Sequence, residues 1–147
     1  MAYEFKLIRR VEFAETDMAG IVHYSNFFRY AEATESAFFR SLGLSLRPPQ
    51  AAHEVGWPRV HAECDYSHPL RFEDEIEIHL LVAERGARKF VYQFRIRKLN
   101  AQPPVEVARG KIVAVCIMQD GPHRMKAAQI PAHIAAMIEV APAELLA

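Results

Sequence analysis

This sequence contains little cysteine and carries no net charge. The 147 residues include two cysteines, Cys64 and Cys116, whose spacing matches neither a disulfide framework nor a zinc motif. Eighteen basic residues balance eighteen acidic ones, so the net charge does not attract nucleic acid or an anionic membrane surface. We therefore expect no metal site and no nucleic-acid partner. An anionic ligand would have to be held by a local group of cations.

Long hydrophobic runs are also missing. The longest apolar run, Ile112–Met118, is far too short for a transmembrane helix, which needs about 20 residues. The first residues, MAYEFKLIRR, lack the apolar core of a secretion signal. Together with the small number of cysteines, these features predict a cytoplasmic protein without a membrane span.

The length and composition favour one globular domain over residues 1–147. A chain of this size can bury a substantial core without disulfides or metals. Its apolar fraction of 51% and charged fraction of 24% are ordinary for a folded domain. No repeat or low-complexity segment divides it. The connection 43–58 is long for a compact domain, and we expect it to form a lid or a pocket wall.

Five segments alternate between apolar and polar residues with the period of a half-buried strand. They are Tyr3–Phe13, Val60–Tyr66, Ile76–Val82, Phe90–Ile96 and a last strand that begins near Val105 and is wholly apolar over Ile112–Met118. Such an apolar strand is expected to be covered on both faces. Short turns at 84–86 and 100–104 favour antiparallel hairpins.

One strong helical pattern, Asn26–Leu42, interrupts the strands. Its apolar side is rich in phenylalanine, and its polar side contains Arg29, Glu32, Glu35, Ser36 and Arg40. Ser25 or Asn26 is expected to cap the start, and Gly43 to follow the end in a left-handed conformation. A second helix is predicted over Pro131–Glu139. We therefore predict an α+β fold in which an antiparallel five- or six-stranded sheet wraps around one long central helix.

The segment between the first strand and the helix carries the chemistry. It reads ETDMAGIVHYSN from Glu15 to Asn26, with Asp17 in a turn directly before the helix start. Unpaired backbone N–H groups at a helix start carry partial positive charge. They can polarise a carbonyl group and stabilise the oxyanion that forms when it is attacked. A nearby carboxylate can attack the carbonyl or activate water, which suits an electrophilic thioester.

The stretch TDMAGIVHYSNFFRYAE resembles the signature of the hotdog-fold thioesterases, specifically the 4-hydroxybenzoyl-CoA thioesterase-like group. Looser similarity continues through Asp65–Tyr66 and Pro69–Asp74. The resemblance implies a hotdog fold and the hydrolysis of acyl-CoA to a carboxylate and free CoA. It implies no cofactor, because CoA is part of the substrate. It also implies a homodimer or homotetramer with the active site at the subunit interface.

The resemblance also implies roles for individual residues. Asp17 takes the place of the nucleophile or general base, and the backbone N–H of Tyr24 takes the place of the oxyanion donor. His23 is a candidate assisting group, because imidazole can titrate near neutral pH. The branch associated with the Tol–Pal system places its histidine one position later, where this chain has Tyr24.

Three further residues are expected to bind substrate. Asn26 opens the helix of the signature. Arg88 and Lys89 lie at the start of a strand after a hairpin turn, where related enzymes hold the nucleotide end of CoA, and cations suit its phosphates. The alternative role for these two charges is to discourage aggregation at the end of a strand.

Two other functions are compatible with the same pattern. One is a hydratase or dehydratase acting on acyl thioesters, and the other is a non-catalytic acyl-CoA-binding protein. A thiol nucleophile is less consistent with the sequence, because Cys64 lies on the apolar phase of its strand while His61 and Asp65 lie on the opposite phase. We therefore expect Cys64 to be structural.

Overall fold

The computed structural model describes residues 1–47, 55–119 and 121–147. Its strands are β1 (Glu4–Arg10), β2 (Val55–Gly56), β3 (Arg59–Tyr66), β4 (Glu75–Arg85), β5 (Lys89–Lys98), β6 (Val105–Val115), β7 (Ile117–Gln119) and β8 (Met125–Ala127). Its helices are α1 (Asn26–Ser41), α2 (Ala132–Ala135) and α3 (Ala143–Leu146), with a 3₁₀ turn at Phe13–Glu15. Within the described ranges, no helix is both long and apolar enough to cross a bilayer. Residues 48–54, in the connection predicted as a lid or pocket wall, lie outside these ranges.

Five strands form an antiparallel sheet in the order β1-β4-β5-β6-β3. The register aligns the inner-face residues in a row: Leu80 faces Phe5 and Phe94, and Gly110 faces Phe94 and Cys64. The smaller strands form a separate sheet in the order β2-β7-β8. The predicted five-stranded antiparallel sheet with one long helix is therefore confirmed.

Helix α1 packs against the inner face of the large sheet because both surfaces are aromatic. Its Phe38 ring lies 6.4 Å from the ring of Phe5 on β1, and its Phe28 ring lies 6.1 Å from the ring of Phe94 on β5. Tyr30, Phe38 and Phe94 are fully buried, and each buried aromatic side chain contributes roughly 1.5–3 kcal/mol. Gly43 follows the helix with φ 74°, as predicted.

Gly110 allows β6 to pass beneath an aromatic ring. A Cβ atom at this position would lie 2.3 Å from Cζ of Phe94 and 2.5 Å from the carbonyl oxygen of Glu63. Since the second contact is with backbone, a rotamer change cannot relieve it. We expect Gly110→Ala to lower the free energy of unfolding by about 2–3 kcal/mol, in the range of overpacked cores, as measured by urea denaturation.

Gly86→Ala is the matched control for this prediction. A Cβ atom at Gly86 would meet mainly the flexible side chain of Lys89, at 3.2 Å, so the change should stay within about 0.5 kcal/mol. If the two variants unfolded at the same urea concentration, close packing at Gly110 would be contradicted.

The last apolar run does not form the single, doubly covered strand that its composition predicts. Strand β6 ends at Val115, and the N–H of Cys116 donates to the carbonyl of Arg88 at 2.7 Å. The chain then continues as β7 in the smaller sheet. Val113 and Val115 are only half-buried, whereas Ala114 is buried. The run is apolar because it serves two sheets in succession, so the prediction was wrong on this point.

The first strand is also shorter than predicted. It ends at Arg10, and Phe13 lies in the 3₁₀ turn with its side chain 74% exposed. Phe13 therefore does not continue the buried face of the strand. Its ring packs edge-on against that of Phe72, at 5.5 Å.

The predicted second helix is reduced to the four residues of α2. The backbone beyond it pairs with the start of the chain instead. The N–H of Ala2 donates to the carbonyl of Met137, and the N–H of Glu139 donates to the carbonyl of Ala2, both at 2.9 Å. These bonds flank a parallel bridge between Ala2 and Ile138, so the predicted helix end at Glu139 was wrong.

Candidate active site

Asp17 lies in a tight loop that joins the 3₁₀ turn to the helix. Its N–H donates to the carbonyl of Ile21 at 2.8 Å, and its carbonyl accepts from the N–H of Gly20 at 3.0 Å. Gly20 has φ 81°, a conformation that glycine adopts without strain. The carboxylate Oδ1 accepts from the N–H of Ala19 at 2.8 Å. The second carboxylate oxygen has no hydrogen-bond partner among the described residues, and the side chain is exposed.

Tyr24 lies at the start of the helix, where the chain makes a turn before α1. The N–H of Asn26 donates to the carbonyl of His23 at 2.9 Å, and the N–H of Phe27 donates to that of Tyr24 at 3.4 Å. Over the ranges that the structure describes, the N–H of Tyr24 itself donates to no protein acceptor. The predicted side-chain cap is wrong, because no cap hydrogen bond forms at Ser25 and its Oγ lies 2.8 Å from Nδ1 of His23.

Asp17 and Tyr24 share one cleft of about 410 Å³, within the range of small-molecule sites. The other residues that line it are Ile21, Val22, Phe27, Tyr66, Ser67, His68 and Pro69. The rings of Phe27 and Tyr66 meet edge-on at 4.8 Å. A larger surface hollow of about 660 Å³ beside Phe13 is lined by none of the predicted site residues.

Tyr66 holds in place the turn that contains the unpaired backbone N–H of Tyr24. Its hydroxyl donates to the carbonyl of Tyr24 at 3.0 Å, which connects β3 to the helix start. Partial burial, followed by the neighbouring Cys64, raises the pKa of Tyr66 to about 12. The phenol therefore remains protonated, and able to donate, at neutral pH.

Glu15 is a residue that the sequence reasoning missed. Its Oε1 accepts from the hydroxyl of Tyr30 at 2.9 Å and from the N–H of Glu12 at 2.8 Å. Its Oε2 lies 2.8 Å from Nη2 of Arg9. Burial, and then the bond to Glu15, raise the pKa of Tyr30, so this phenol also donates. The sequence feature that could have pointed to Glu15 is Tyr30 on the buried face of the helix, because a buried tyrosine hydroxyl usually has a hydrogen-bond partner.

Asn26 and His23 are close in sequence to Tyr24, but their side chains do not line the cleft. Asn26 is buried, and its side-chain amide donates to the backbone carbonyl of Glu15 at 2.8 Å. The His23 side chain is exposed, and its ring lies 4.5 Å from that of Tyr24. The structure therefore uses Asn26 to hold the loop, and it leaves the His23 imidazole outside the cleft.

Arg88 and Lys89 are not brought to this cleft within one chain. The Asp17 loop is attached near the start of β4, where the N–H of Val22 donates to the carbonyl of Leu70 at 2.8 Å. Arg88 and Lys89 follow the other end of β4. At roughly 3.3 Å per residue, a strand of this length separates its ends by about 30 Å. Lys89 lies instead 3.9 Å from Glu84.

Cys64 has the environment of a structural thiol. It is half-buried, and burial raises the pKa of its thiol, which disfavours the nucleophilic thiolate. His61 pairs with Glu63 at 2.8 Å. In the described parts of the chain, no group of three or more His, Cys, Asp or Glu side chains is arranged to hold a metal ion.

Comparison with known sequences places the chain in a family. The sequence model described as the thioesterase-like superfamily matches residues 11–138. The 1,4-dihydroxy-2-naphthoyl-CoA hydrolase of Synechococcus elongatus is 31% identical over 116 residues, which cover 78% of this chain and 81% of that protein. The 4-hydroxybenzoyl-CoA thioesterase of Pseudomonas sp. strain CBS-3 is 29% identical over 138 residues, covering 90% and 95% of the two chains.

Solved structures show the same relationship in three dimensions. The 1,4-dihydroxy-2-naphthoyl-CoA thioesterase of Synechocystis superposes with a TM-score of 0.81 at 26% identity, covering 91% of this chain and 94% of that one. A variant of 4-hydroxybenzoyl-CoA thioesterase in complex with 4-hydroxybenzoyl-CoA gives 0.80 at 25% identity, covering 92% and 99%. The predicted hotdog fold and 4-hydroxybenzoyl-CoA thioesterase-like group are confirmed. The chain belongs to the thioesterase-like superfamily, as a hotdog-fold thioesterase.

Proposed function

We propose that the chain hydrolyses acyl-CoA thioesters, with Asp17 as the catalytic carboxylate and the Tyr24 N–H as the oxyanion donor. The observation that carries this proposal is the cleft that the two residues share. Among the described residues, one Asp17 oxygen and the Tyr24 amide hydrogen are both without a protein partner. The oxygen of a thioester carbonyl placed between them would accept a hydrogen bond from the Tyr24 N–H. The Asp17 carboxylate, or water activated by it, would attack the carbonyl carbon. One such donor typically contributes on the order of 10²–10³ in rate.

The reaction proceeds through a tetrahedral oxyanion. Either the Asp17 carboxylate or a water molecule that it deprotonates forms a bond to the carbonyl carbon, and the carbonyl π electrons move onto oxygen. Collapse of this species breaks the C–S bond and releases the CoA thiolate. After direct attack by Asp17, water hydrolyses the resulting anhydride. The carbonyl of His23 accepts a hydrogen bond from Asn26, which further polarises the Tyr24 N–H.

The working unit that we propose is at least a dimer, formed by pairing of β3 edges. Strand β3 ends the large sheet, and most of its residues are exposed on a single chain. Val60 is 64% and Tyr66 is 44% exposed. A long edge strand with apolar side chains readily pairs with another strand. Because Tyr66 also lines the cleft, such a dimer would place the active site at the subunit interface.

An antiparallel β3 pair would also give Arg88 and Lys89 a role. Within one chain, Lys89 and the cleft lie at opposite ends of the sheet. Lys89 pairs with Val115 at one end of β6, next to the pairing of Arg59, whereas Tyr66 pairs with Ala108 toward the other end. A two-fold axis between paired β3 edges inverts the second subunit. Its cationic end then lies beside the cleft of the first, where these side chains can bind the CoA phosphates.

Replacing both cations is expected to weaken binding without impairing the chemistry. For Arg88→Ala/Lys89→Ala we expect KM for acyl-CoA to rise about 10-fold to 100-fold, since a hydrogen bond to a charged group contributes about 1.5–3 kcal/mol. The value of kcat should change little. Lys6→Ala/Arg10→Ala, at two exposed positions of β1, is the charge-matched control. An equal rise in KM for an acyl-pantetheine, which lacks the nucleotide, would contradict phosphate binding.

An aromatic acyl group is the substrate class that we propose. The relatives act, by name, on hydroxylated aromatic acyl-CoA thioesters. In this chain the rings of Phe27 and Tyr66 form one wall of the cleft beside Asp17, and aromatic rings gain from edge-on or offset contact. The direct test is a thiol-release assay over aromatic, short-chain and long-chain acyl-CoAs.

The same panel separates the other two functions. A hydratase would convert an enoyl-CoA into a 3-hydroxyacyl-CoA with the thioester intact, which mass spectrometry detects. A binding protein would retain acyl-CoA without releasing thiol from any member. Either result would overturn the proposed hydrolysis.

We also propose a reducing location such as the cytoplasm. Cys64 and Cys116 are both free thiols, half-buried and buried respectively. Free cysteines are typical of reducing compartments. Fractionation of the producing cells would test this location.

A further inference from the structure

We propose that Glu15 is a positioning residue for the reaction: it holds the Asp17 loop and the Tyr24 amide at a fixed separation. The inference rests on the proposed function, because it assumes that these two groups act together on one carbonyl. Glu15 does not line the cleft. Its effect on the reaction would therefore be transmitted through other residues.

The side chain of Glu15 connects three elements. Its bonds reach Arg9 on β1, the Glu12 N–H at the 3₁₀ turn and the Tyr30 hydroxyl on α1, all within 2.8–2.9 Å. Only 15% of the side chain is exposed, so water competes weakly for these bonds. The 3₁₀ turn that precedes Asp17 is thereby fixed relative to both the sheet and the helix.

The backbone of Glu15 closes the loop on its other side. Its carbonyl accepts from the N–H of His23 at 3.0 Å and from the side-chain amide of Asn26 at 2.8 Å. His23 directly precedes Tyr24, and Glu15 is two positions before Asp17. One residue therefore holds both ends of the segment that contains the catalytic carboxylate and the free amide.

Asp17 depends on this support because its own hydrogen bonds stay inside the loop. They involve Ala19, Gly20 and Ile21, and none of them reaches the sheet or the helix. The bond from Val22 to the carbonyl of Leu70 is a second attachment, but it does not fix the loop against α1. Loss of the Glu15 side chain would leave the backbone bonds to His23 and Asn26 but remove those to Arg9 and Tyr30. We therefore expect the loop to shift relative to β1 and α1 without unfolding of the domain.

The test is the kinetics of Glu15→Ala on the intact protein, with an acyl-CoA that the wild type hydrolyses. We expect kcat to fall about 10²-fold, the cost of a misplacement of about 1 Å, while KM changes less than about threefold. Glu15→Gln retains Oε1 as an acceptor for Tyr30 and Glu12 and should recover kcat to within about 10-fold of wild type. If Glu15→Ala does not fold, Glu15→Gln and Tyr30→Phe carry the test, each with a several-fold loss of kcat.

A double-mutant cycle distinguishes positioning from simple stabilisation. If Glu15 acts by placing Asp17, then Glu15→Ala should cost much less in the Asp17→Asn background than in the wild type. Glu77→Ala is the control, because Glu77 also has an ion pair, to Arg97 at 2.9 Å with 11% of its side chain exposed. It should lower Tm without changing kcat.

Two results would overturn the positioning role. One is an unchanged kcat in the folded Glu15 variants, with only Tm lowered as in Glu77→Ala. The other is a fall in kcat from Glu15→Ala that is as large in the Asp17→Asn background as in the wild type. Wild-type activity of Asp17→Asn alone would be a different outcome, since it would remove the proposed function itself.

Discussion

Asp17→Asn is expected to lower kcat for acyl-CoA hydrolysis by about 10³-fold, within the range for loss of a general base or nucleophile. An amide is neither basic enough to activate water nor able to form the acyl intermediate. The substitution is nearly isosteric, and an asparagine Oδ1 can still accept from the N–H of Ala19, as Asp17 does at 2.8 Å. Tm should therefore remain close to that of the wild type.

The measurement is thiol release at saturating substrate, with substrate binding followed separately. We expect KM or Kd to change by less than about threefold, because the Tyr24 N–H and the aromatic wall remain. Glu144→Gln is the chemically similar control, since Glu144 is an exposed carboxylate on α3, away from the cleft and from β3. Turnover of Asp17→Asn at the rate of this control would refute the assignment.

The fold was predictable because apolar residues recur with a regular strand or helix spacing in its main elements. The alternation along β4 and β5 and the helical spacing of α1 each place apolar residues on one buried face. The ends of elements were less predictable. Met137 and Glu139 are withdrawn from a helix by hydrogen bonds to Ala2, and a contact between the two ends of the chain leaves no local signal.

The candidate site was predictable only in part. Asp17 and the Tyr24 amide are close in sequence, so a local motif could indicate both. Arg88 and Lys89 lie at the opposite end of the sheet, and only a second subunit could bring them to the same cleft. Glu15 was missed because its importance depends on Arg9 and Tyr30, which come from a strand and a helix on either side of it.

Glu35 shows most clearly what a helical pattern cannot predict. Spacing assigned it to the polar side of α1, yet it is 3% exposed. Both of its carboxylate oxygens accept from the guanidinium of Arg59 on β3. Arg59 stands beside a shift in the register of β3, between Arg59 and His61. The predicted polar face was therefore wrong at Glu35, because an ion pair with a distant strand permits the burial.

Arg59→Met is expected to lower the free energy of unfolding by about 3–5 kcal/mol at neutral pH, the cost of leaving a buried charge without its partner. Urea denaturation measures this loss. Glu35→Gln/Arg59→Met should recover much of it, because a neutral amide costs less to bury than a carboxylate. A loss below about 1 kcal/mol in the single variant would mean that Glu35 reaches solvent or another cation once Arg59 is removed.

The same pair predicts a dependence on pH whose sign can be worked out. Burial raises the pKa of Glu35, and the bonds from Arg59 oppose that rise. Because the native pKa is above the unfolded value, the folded protein retains a proton that the unfolded chain releases. Stability therefore falls as pH rises from the ordinary glutamate pKa, about 4.3, through the native pKa.

Removal of Arg59 should extend this dependence to higher pH. The hydrogen bonds and charge of Arg59, which lower the pKa of Glu35, are lost. Burial first, and then repulsion from Glu32, continue to raise that pKa; in the wild type the Glu32 carboxylate lies 3.9 Å from the Arg59 guanidinium. The destabilisation of Arg59→Met should thus be largest at alkaline pH and shrink as the pH falls and Glu35 takes up a proton. Glu35→Gln/Arg59→Met should lack this slope. An identical slope in both variants would show that another group titrates.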